Sequence, residues 1–371
     1  MASPKDRKCA GCPALIYRDS ITGLCQPCLV KTKARIPADQ QVAADRERNR
    51  LASELSHVKG KYNETLKRVS VLEKDLAIKD ELNLGLDTFE IEPRTKDSTK
   101  SEATVIWAAS DWHVEERVVS ATVSGLNEFN MDIAKQRSMK FFQGGLRLTN
   151  LLKQDVEINN VVLALLGDFI SNDIHEEISE VAMVAPMHAI LFAQELIASG
   201  IEFILEHSDY NLTIPCHSGN HARTTKTTRF STENGHSLEF LMYKALAGYF
   251  RNEERVKFIV PDGYHSYLKI YDQNIRFHHG HAINYQGGIG GIFIPAFKAI
   301  SQWDKARPVD LDLFGHFHQC KDGGKFISNG SLIGFNAYAL SIKADYEEPK
   351  QQLFMIDKKR GRTCTWPILL K

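Results

Sequence analysis

Hydrophobic and polar positions divide this chain into stretches of different texture. Between Ala38 and Leu86 the residues are mostly Glu, Lys, Arg, Gln and Leu, without proline. Leu51, Leu55, Val58, Tyr62, Thr65, Val69, Leu72 and Leu76 follow a 4-3-4-3-4-3-4 spacing, an a/d seam of nearly four heptads in which only Thr65 is weak. Two readings fit: a solvated amphipathic helix lying on the following domain, or a parallel or antiparallel dimerising coiled coil. The narrow seam between charged flanks favours the coiled coil over 51–76. Gly60 weakens the helix slightly. Residues 91–102, with Pro93 and many charged or hydroxyl side chains, read as a linker.

From Ala103 onward, short apolar runs alternate with helical stretches. The pattern predicts strands at Thr104–Ala109, Val161–Leu166, Asn211–His217, Lys257–Val260, Ser266–Tyr271, Ile275–His278, Leu311–Phe314, Lys325–Ser328 and Gln352–Ile356. Helices are expected at Met131–Lys153, over a long region from Glu176 to Leu205, and at Gly235–Phe250 and Ile292–Trp303. The run Val161-Val162-Leu163-Ala164-Leu165-Leu166-Gly167-Asp168 organises the rest. Its length and Val/Leu content suit a strand buried on both faces, although pattern alone leaves a buried helix open. Gly167 permits a tight turn, and Asp168 then stands at the sheet rim. Alone, such an Asp would be read as a helix cap. The alternation as a whole indicates an α/β sandwich without internal repeats.

Composition narrows the class without naming a function. The 371 residues are 43% hydrophobic and 25% charged, a globular balance. Formal charge is zero overall, yet residues 1–36 carry seven Lys/Arg against two Asp, +5, leaving −5 for the remainder. That basic end permits nucleic-acid contact. No apolar run approaches the roughly 18 residues of a membrane span, and the first residues lack a signal-peptide core, so a cytoplasmic protein is expected. Of the seven cysteines, Cys9-x-x-Cys12 and Cys25-x-x-Cys28 form two pairs separated by twelve residues. Four thiolates on two tight turns predict one structural Zn²⁺ in a zinc-ribbon-like module over 1–36, with a small hairpin between the pairs at Leu15–Gly23. The metal would supply the folding energy that so short a segment lacks.

Five clusters of candidate ligands stand where apolar strands give out. Hard oxygen donors (Asp111, Asp168, Asn220) mixed with imidazoles (His113, His279, His316, His318) suit Mn²⁺, Fe or Zn²⁺. In D-x-H and H-x-H, two side chains one residue apart on an extended backbone reach the same side. D-W-H at 111–113, G-D at 167–168, G-N-H at 219–221, H-G-H at 279–281 and G-H-F-H at 315–318 together resemble the five motifs of the calcineurin-like metallophosphoesterases, over residues 103–371. The stretch Asn329–Gly334 is similar to phosphoesterases of bacteriophages and prophages.

The resemblance implies a four-layer α/β/β/α metallophosphoesterase sandwich, preceded by the zinc module (1–36) and the helical segment (37–90). It implies two divalent metals: one on Asp111, His113, Asp168 and His318, the other on Asp168, Asn220, His279 and His316, with Asp168 bridging. His221 then faces the scissile phosphate as a catalytic group, and His281 supports the site. Arg223 and His175 are candidate substrate contacts, and Glu176 and Glu177 lie near them. Where the family usually has an acidic residue after G-N-H, Ala222 stands here, a departure that touches the orientation of His221 and not the ligands. The G-D motif continues Phe169-Ile170-Ser171-Asn172, unlike the V-D-R-G of phosphoprotein phosphatases. The implied reaction is phosphodiester hydrolysis by a metal-bridging hydroxide, first of all by a DNA-directed nuclease similar to the double-strand-break-repair exonucleases. A hydrolase of a small nucleotide or phosphoprotein, and a scaffold with a vestigial site, are the alternatives.

Overall fold

A computed structural model describes residues 5–17, 23–33, 38–83, 100–174, 176–285 and 291–371. The chain forms two compact units, Met1–Arg94 and Thr95–Lys371.

In the first unit, strands β1 (Lys5–Lys8) and β2 (Leu15–Tyr17) pair antiparallel. The hairpin therefore encloses the first cysteine pair, where the sequence reading put it between the two pairs. The reason is local: Cys9 donates its backbone N–H to Ala14 O at 2.9 Å, which closes the turn around Cys9–Cys12. Residues 18–22 of the expected hairpin lie outside the described residues. Cys25 precedes helix α1 (Gln26–Lys33), and Cys28 stands in its first turn. Helix α2 (Ala38–Asn83) runs 46 residues through Gly60 unbroken. Leu51, Leu55, Val58, Tyr62 and Val69 of the seam are all exposed. The side chains of Leu72 and Leu76 lie outside the described residues, as do residues 84–99, which include most of the expected linker.

The second unit begins with β3 (Ser101–Ala109), two residues before the expected boundary. Then follow α3 (Met131–Leu152), β4 (Val156–Leu165), α4 (Glu176–Val181), α5 (Pro186–His207), β5 (Asn211–Pro215), α6 (Leu238–Tyr249) and β6 (Val256–Ile259). The remainder comprises β7 (Ser266–Ile270), β8 (Gln273–Phe277), α7 (Phe293–Trp303), β9 (Leu311–Phe314), β10 (Lys321–Asp322), β11 (Phe326–Ser328), α8 (Ala337–Ser341), β12 (Lys350–Asp357) and β13 (Gly361–Leu369). One sheet has the order β13-β12-β3-β4-β5-β6, parallel from β3 to β6; the other has the order β10-β11-β9-β8-β7.

Alternation along β3 and β4 explains the layering. Val105, Trp107 and Ala109 with Val161, Leu163 and Leu165 enter the core beneath α3, α5 and α6. Ile106, Ala108, Val162, Ala164 and Leu166 face the second sheet, meeting Ile275, Phe277, Leu311 and Leu313. On the far side of that sheet, Ala296 and Ile300 of α7 pack on Phe314 and Phe326. The result is a mixed α/β sandwich of helices, two facing sheets and a helix. Both faces of β3 and β4 are buried, which is why they read as continuous apolar runs.

The expected long helix from Glu176 is two helices. Pro186 takes the first helical position of α5 and holds Ala185 extended, so α4 cannot run on. By length and mean hydropathy α5 could cross a membrane, although Gln194, Glu195, Glu202 and Glu206 break its apolar run, as the sequence reading had it. Its residues Ala189, Ala193, Leu196, Ile197, Ile201 and Ile204 are spent on the core.

Candidate metal centre

The parallel strands β3, β4, β5, β8 and β9 deliver their following loops to one edge. The loops after β3 and β4 continue a ladder: Asp111 N–H donates to Gly167 O (2.9 Å), His113 N–H to Asp168 O (3.2 Å) and Val114 N–H to Phe169 O (3.0 Å). Glycine is required at two crossings. A Cβ on Gly167, whose φ is +90°, would collide with the Gly219 backbone, and one on Gly219 would collide with Asp168. The two loops can touch only as glycines.

Asp111, His113, Asp168, His316 and His318 all have φ between +47° and +71°, half of the ten non-glycine residues with positive φ among those described. Each costs on the order of 1 kcal/mol or more, a strain that concentrates where side chains must be aimed. The aim is convergent. Asp111, His113 and His318 bring one donor atom each within 4.8 Å of one another, and Asp168, His279 and His316 do the same. His113 Nε2 lies 3.3 Å from His318 Nε2, which is 3.4 Å from Asp111 Oδ1. His279 Nε2 lies 3.0 Å from Asp168 Oδ2 and 3.2 Å from Asn220 Oδ1.

Hydrogen bonds on the far side of the rings fix which nitrogens face inward. His279 Nδ1 donates to Leu166 O at 2.6 Å, so in the neutral ring Nε2 carries a lone pair toward two oxygens that are themselves acceptors. His113 Nδ1 meets Ser171 Oγ at 2.8 Å, and Ser171 Oγ donates to Glu116 Oε2 at 3.1 Å, which leaves His113 Nε2 unprotonated. Lone pairs facing lone pairs at 3.0–3.3 Å repel unless a proton or a cation lies between them. The donor set therefore fits divalent cations bound by imidazole and carboxylate. Without a cation the geometry leans on protons. Burial works to lower the His279 pKa, but the Asp168 carboxylate raises it to about 10. Burial likewise raises the Asp168 pKa, and His279 and His221 overcome it, holding the carboxyl well below its usual range.

His221 is not in either donor group. Its N–H donates to Asp168 Oδ1 (2.8 Å), its Nδ1 lies 3.0 Å from Ser171 O, and its ring meets His113 edge-on at 4.9 Å. Arg223 is turned back on its own loop, donating to Asn220 O and to Thr225 O. His281 lies behind the second group, 5.6 Å from the His279 ring. Among the described residues neither ring nitrogen makes a hydrogen bond, although Glu233 Oε1 stands 3.7 Å from Nε2, and burial and the His279 charge lower the His281 pKa to about 3. His175 lies outside the described residues. Glu176 and Glu177 are exposed on α4.

Several supporting residues escaped the sequence reading. Glu115 Oε1 accepts from Ser171 N and Asn172 N, both at 2.8 Å. Glu239 accepts from Phe169 N (2.6 Å) and Gly219 N (2.7 Å), tying the G-D and G-N-H loops together from α6. Asn329 and Gln351 bracket Ser110, whose Oγ donates to Asp111 Oδ2. In a sequence, such buried polar residues look like surface ones. Only Glu115-Glu116, two residues past D-W-H, offered a positional hint.

The four cysteines of the first unit also bring their Sγ atoms within 4.8 Å of one another. Backbone N–H groups of Cys25 (3.0 Å) and Gly11 (3.4 Å) point at Cys9 Sγ and lower its pKa to about 6. Thiolate is thus favoured at Cys9, while the neighbouring thiols raise the pKa of Cys25 and Cys28; the convergence of four Sγ atoms is what fits a Cys₄ metal ion.

No protein-family model matches the sequence, and no curated protein matches it. Solved structures give fold-level likenesses. A hypothetical protein of Pyrococcus horikoshii has 12% identity over 72% of this chain and 89% of its own, with a TM-score of 0.35. A conserved protein of Streptococcus pneumoniae, described as a predicted phosphoesterase, has 11% identity over 71% of this chain and 96% of its own, at 0.28. Vps29 of Entamoeba histolytica has 12% identity over 72% and 99%, also at 0.28. At these scores the likenesses bear on neither activity nor ligands.

Proposed function

We propose that this chain is a calcineurin-like, metal-dependent phosphoesterase that hydrolyses phosphodiester bonds in nucleic acid, DNA first. The observation that carries the reading is the pair of donor triads, Asp111–His113–His318 and Asp168–His279–His316, with Asn220 Oδ1 beside the second. Asp111, His113 and His318 would hold one cation and Asn220, His279 and His316 the other, with Asp168 available to both. Mn²⁺, Fe and Zn²⁺ all suit such donors. When bound, two such cations supply Lewis acidity that polarises the phosphoryl oxygens and an attacking water. The chain does the rest. Leu166 O and Ser171 Oγ keep the Nε2 lone pairs of His279 and His113 aimed inward. His221 commits Nδ1–H to Ser171 O, so a proton taken up at Nε2 is the one it passes to the leaving oxygen. The net charge of +5 in residues 1–36 supports a polyanionic substrate.

The test is hydrolysis of bis(p-nitrophenyl) phosphate and of DNA with Mn²⁺. Asn220→Ala should lose occupancy at the second position and regain part of its activity at high Mn²⁺. His221→Ala should keep both metals by elemental analysis and lose on the order of 10²–10⁴-fold in rate. Its loss should be smaller for the nitrophenolate leaving group, which needs little protonation, and extra Mn²⁺ should not repair it. Loss of a metal ion in His221→Ala would show that the ligand assignment is wrong, and a metal-loaded wild type inert on both substrates would sink the activity itself.

A further inference from the structure

We propose that the loop spanning residues 223–236 is a subsite for the neighbouring nucleotide of a single nucleic-acid strand, with Phe230 as the stacking platform for its base. This rests on the phosphodiesterase reading above and names the contact that makes the substrate a strand. The loop runs Arg223-Thr-Thr-Lys226-Thr-Thr-Arg229-Phe230-Ser-Thr-Glu233, three cations at every third residue with no carboxylate before Glu233. A depression beside the metal centre is lined by Asn220, Arg223, Thr225, Thr228, Arg229 and the carboxyl-bearing Glu233, among others. Asn220, a candidate ligand, thus belongs to both the centre and the depression. A phosphate one step along a strand from the scissile one meets the Arg229 guanidinium and the Thr228 hydroxyl there, whereas Arg223 and Thr225 would first have to leave the loop carbonyls to which they donate.

Phe230 adds what phosphate binding does not need. Its side chain is 50% exposed, an apolar ring left in water directly after Arg229. Its inner face stacks on His281, with ring centroids 5.3 Å apart and planes 23° from parallel, and Tyr264 braces it edge-on at 5.5 Å. His281 in turn lies 5.6 Å from the His279 ring and 6.4 Å from the His316 ring. One ring therefore separates the exposed platform from two candidate ligands. A second ring repeats the arrangement on the neighbouring motif: Tyr285, 37% exposed, meets Phe317 at 6.4 Å, and Phe317 meets His316 edge-on at 5.0 Å. Exposed aromatics interleaved with cations are the means by which single strands are held without sequence preference. Stacking of one base on such a ring is worth about 1–3 kcal/mol, roughly a 5- to 150-fold change in affinity. A phosphopeptide would use the cations and leave the ring idle.

Fluorescence anisotropy with the full chain decides the matter, using a labelled short oligothymidylate and an abasic deoxyribose-phosphate oligomer of the same length, with Ca²⁺ replacing Mn²⁺ to hold back cleavage. The wild type should bind the base-bearing oligomer on the order of 10-fold more tightly than the abasic one. Phe230→Ala should erase most of that preference, and Phe230→Trp should keep it. Arg229→Ala should weaken both oligomers alike and flatten the salt dependence. A wild type that does not distinguish the two oligomers, or a Phe230→Ala variant that keeps the full preference, overturns the proposal. Hydrolysis of bis(p-nitrophenyl) phosphate with Mn²⁺ is measured separately. A wild type inert on that ester but showing the Phe230-dependent preference would sink the phosphodiesterase reading and leave the strand subsite standing.

Discussion

Glu115 takes both of its backbone N–H donors on a single oxygen, Oε1, and burial lifts its carboxyl from 4.5 to about 7. Its folded pKa thus lies above its unfolded one. Its stabilising contribution is full below about 4.5 and is lost as pH rises through about 7. Glu115→Gln keeps the accepting oxygen and removes the titration. That variant should gain on the wild type as pH rises from about 5 to about 8, by up to about 3 kcal/mol for a shift of this size. Glu115→Ala, which strands two buried N–H groups, should be about 2–4 kcal/mol less stable than Glu115→Gln at either pH. Urea unfolding of the three proteins in parallel checks both, and a pH-independent gap between wild type and Gln would refute the buried charge. The same residues show what a sequence discloses at this scale. Asp111, His113 and His318 were legible because ligands come in tight D-x-H and H-x-H spacings. Glu115, Glu239 and Gln351 were not, because a buried polar residue is marked only by partners some 20 to 240 positions away in the chain.

Elements were legible where one physical signal dominated. The runs in β3 and β4 declared themselves because both faces are buried. The break at Pro186 was present in the sequence and was overridden there by the helical texture on either side of it. Strand β13 went unread because it is a sheet edge, mostly half-exposed, and carries Pro367, which argues against a central strand. The hairpin of the first unit was displaced because β1, Lys5–Lys8, is four polar residues with no strand signature. Residues 1–36 are too few to bury a core of their own, and we propose that a zinc ion on the four cysteines holds them together. Cys9→Ser with Cys12→Ser should therefore remove one zinc per chain and abolish the β1–β2 hairpin. Turnover of a small phosphodiester should stay within about twofold of wild type. Elemental analysis, amide exchange over residues 5–33 and reporter kinetics read the three parts. A comparable loss of turnover would make the cysteines part of the active site.

For the whole molecule the question is what covers α2. A helix of 46 residues that exposes Leu55 (55%), Val58 (61%) and Tyr62 (63%) along one seam gains little from propensity and needs a partner for its apolar stripe. We propose a second copy, paired in parallel and in register. The spacing puts Leu55, Tyr62 and Val69 at a positions, so Glu54, Lys61 and Arg68 occupy g and Lys59, Leu66 and Glu73 occupy e. In a parallel pair each g residue meets the e residue five positions on in the other chain. Those meetings are Glu54 with Lys59 and Arg68 with Glu73, both opposite in charge, and Lys61 with Leu66. An in-register parallel pair thus covers the stripe with a single like-charge meeting, Asp75 with Asp80, at the C-terminal end of the seam. Such a dimer would offer two phosphoesterase units to one polymer, raising avidity without any new contact. Light scattering should find the wild type dimeric. Leu55→Asp with Tyr62→Asp should give monomers and a loss of helical circular dichroism, with hydrolysis of a small ester retained. Arg68→Glu alone should weaken the dimer by placing like charges at the Arg68–Glu73 contact, and Arg68→Glu with Glu73→Arg should restore it. Failure of that rescue would reject the parallel register, and a wild type already monomeric at micromolar concentration would reject the dimer altogether.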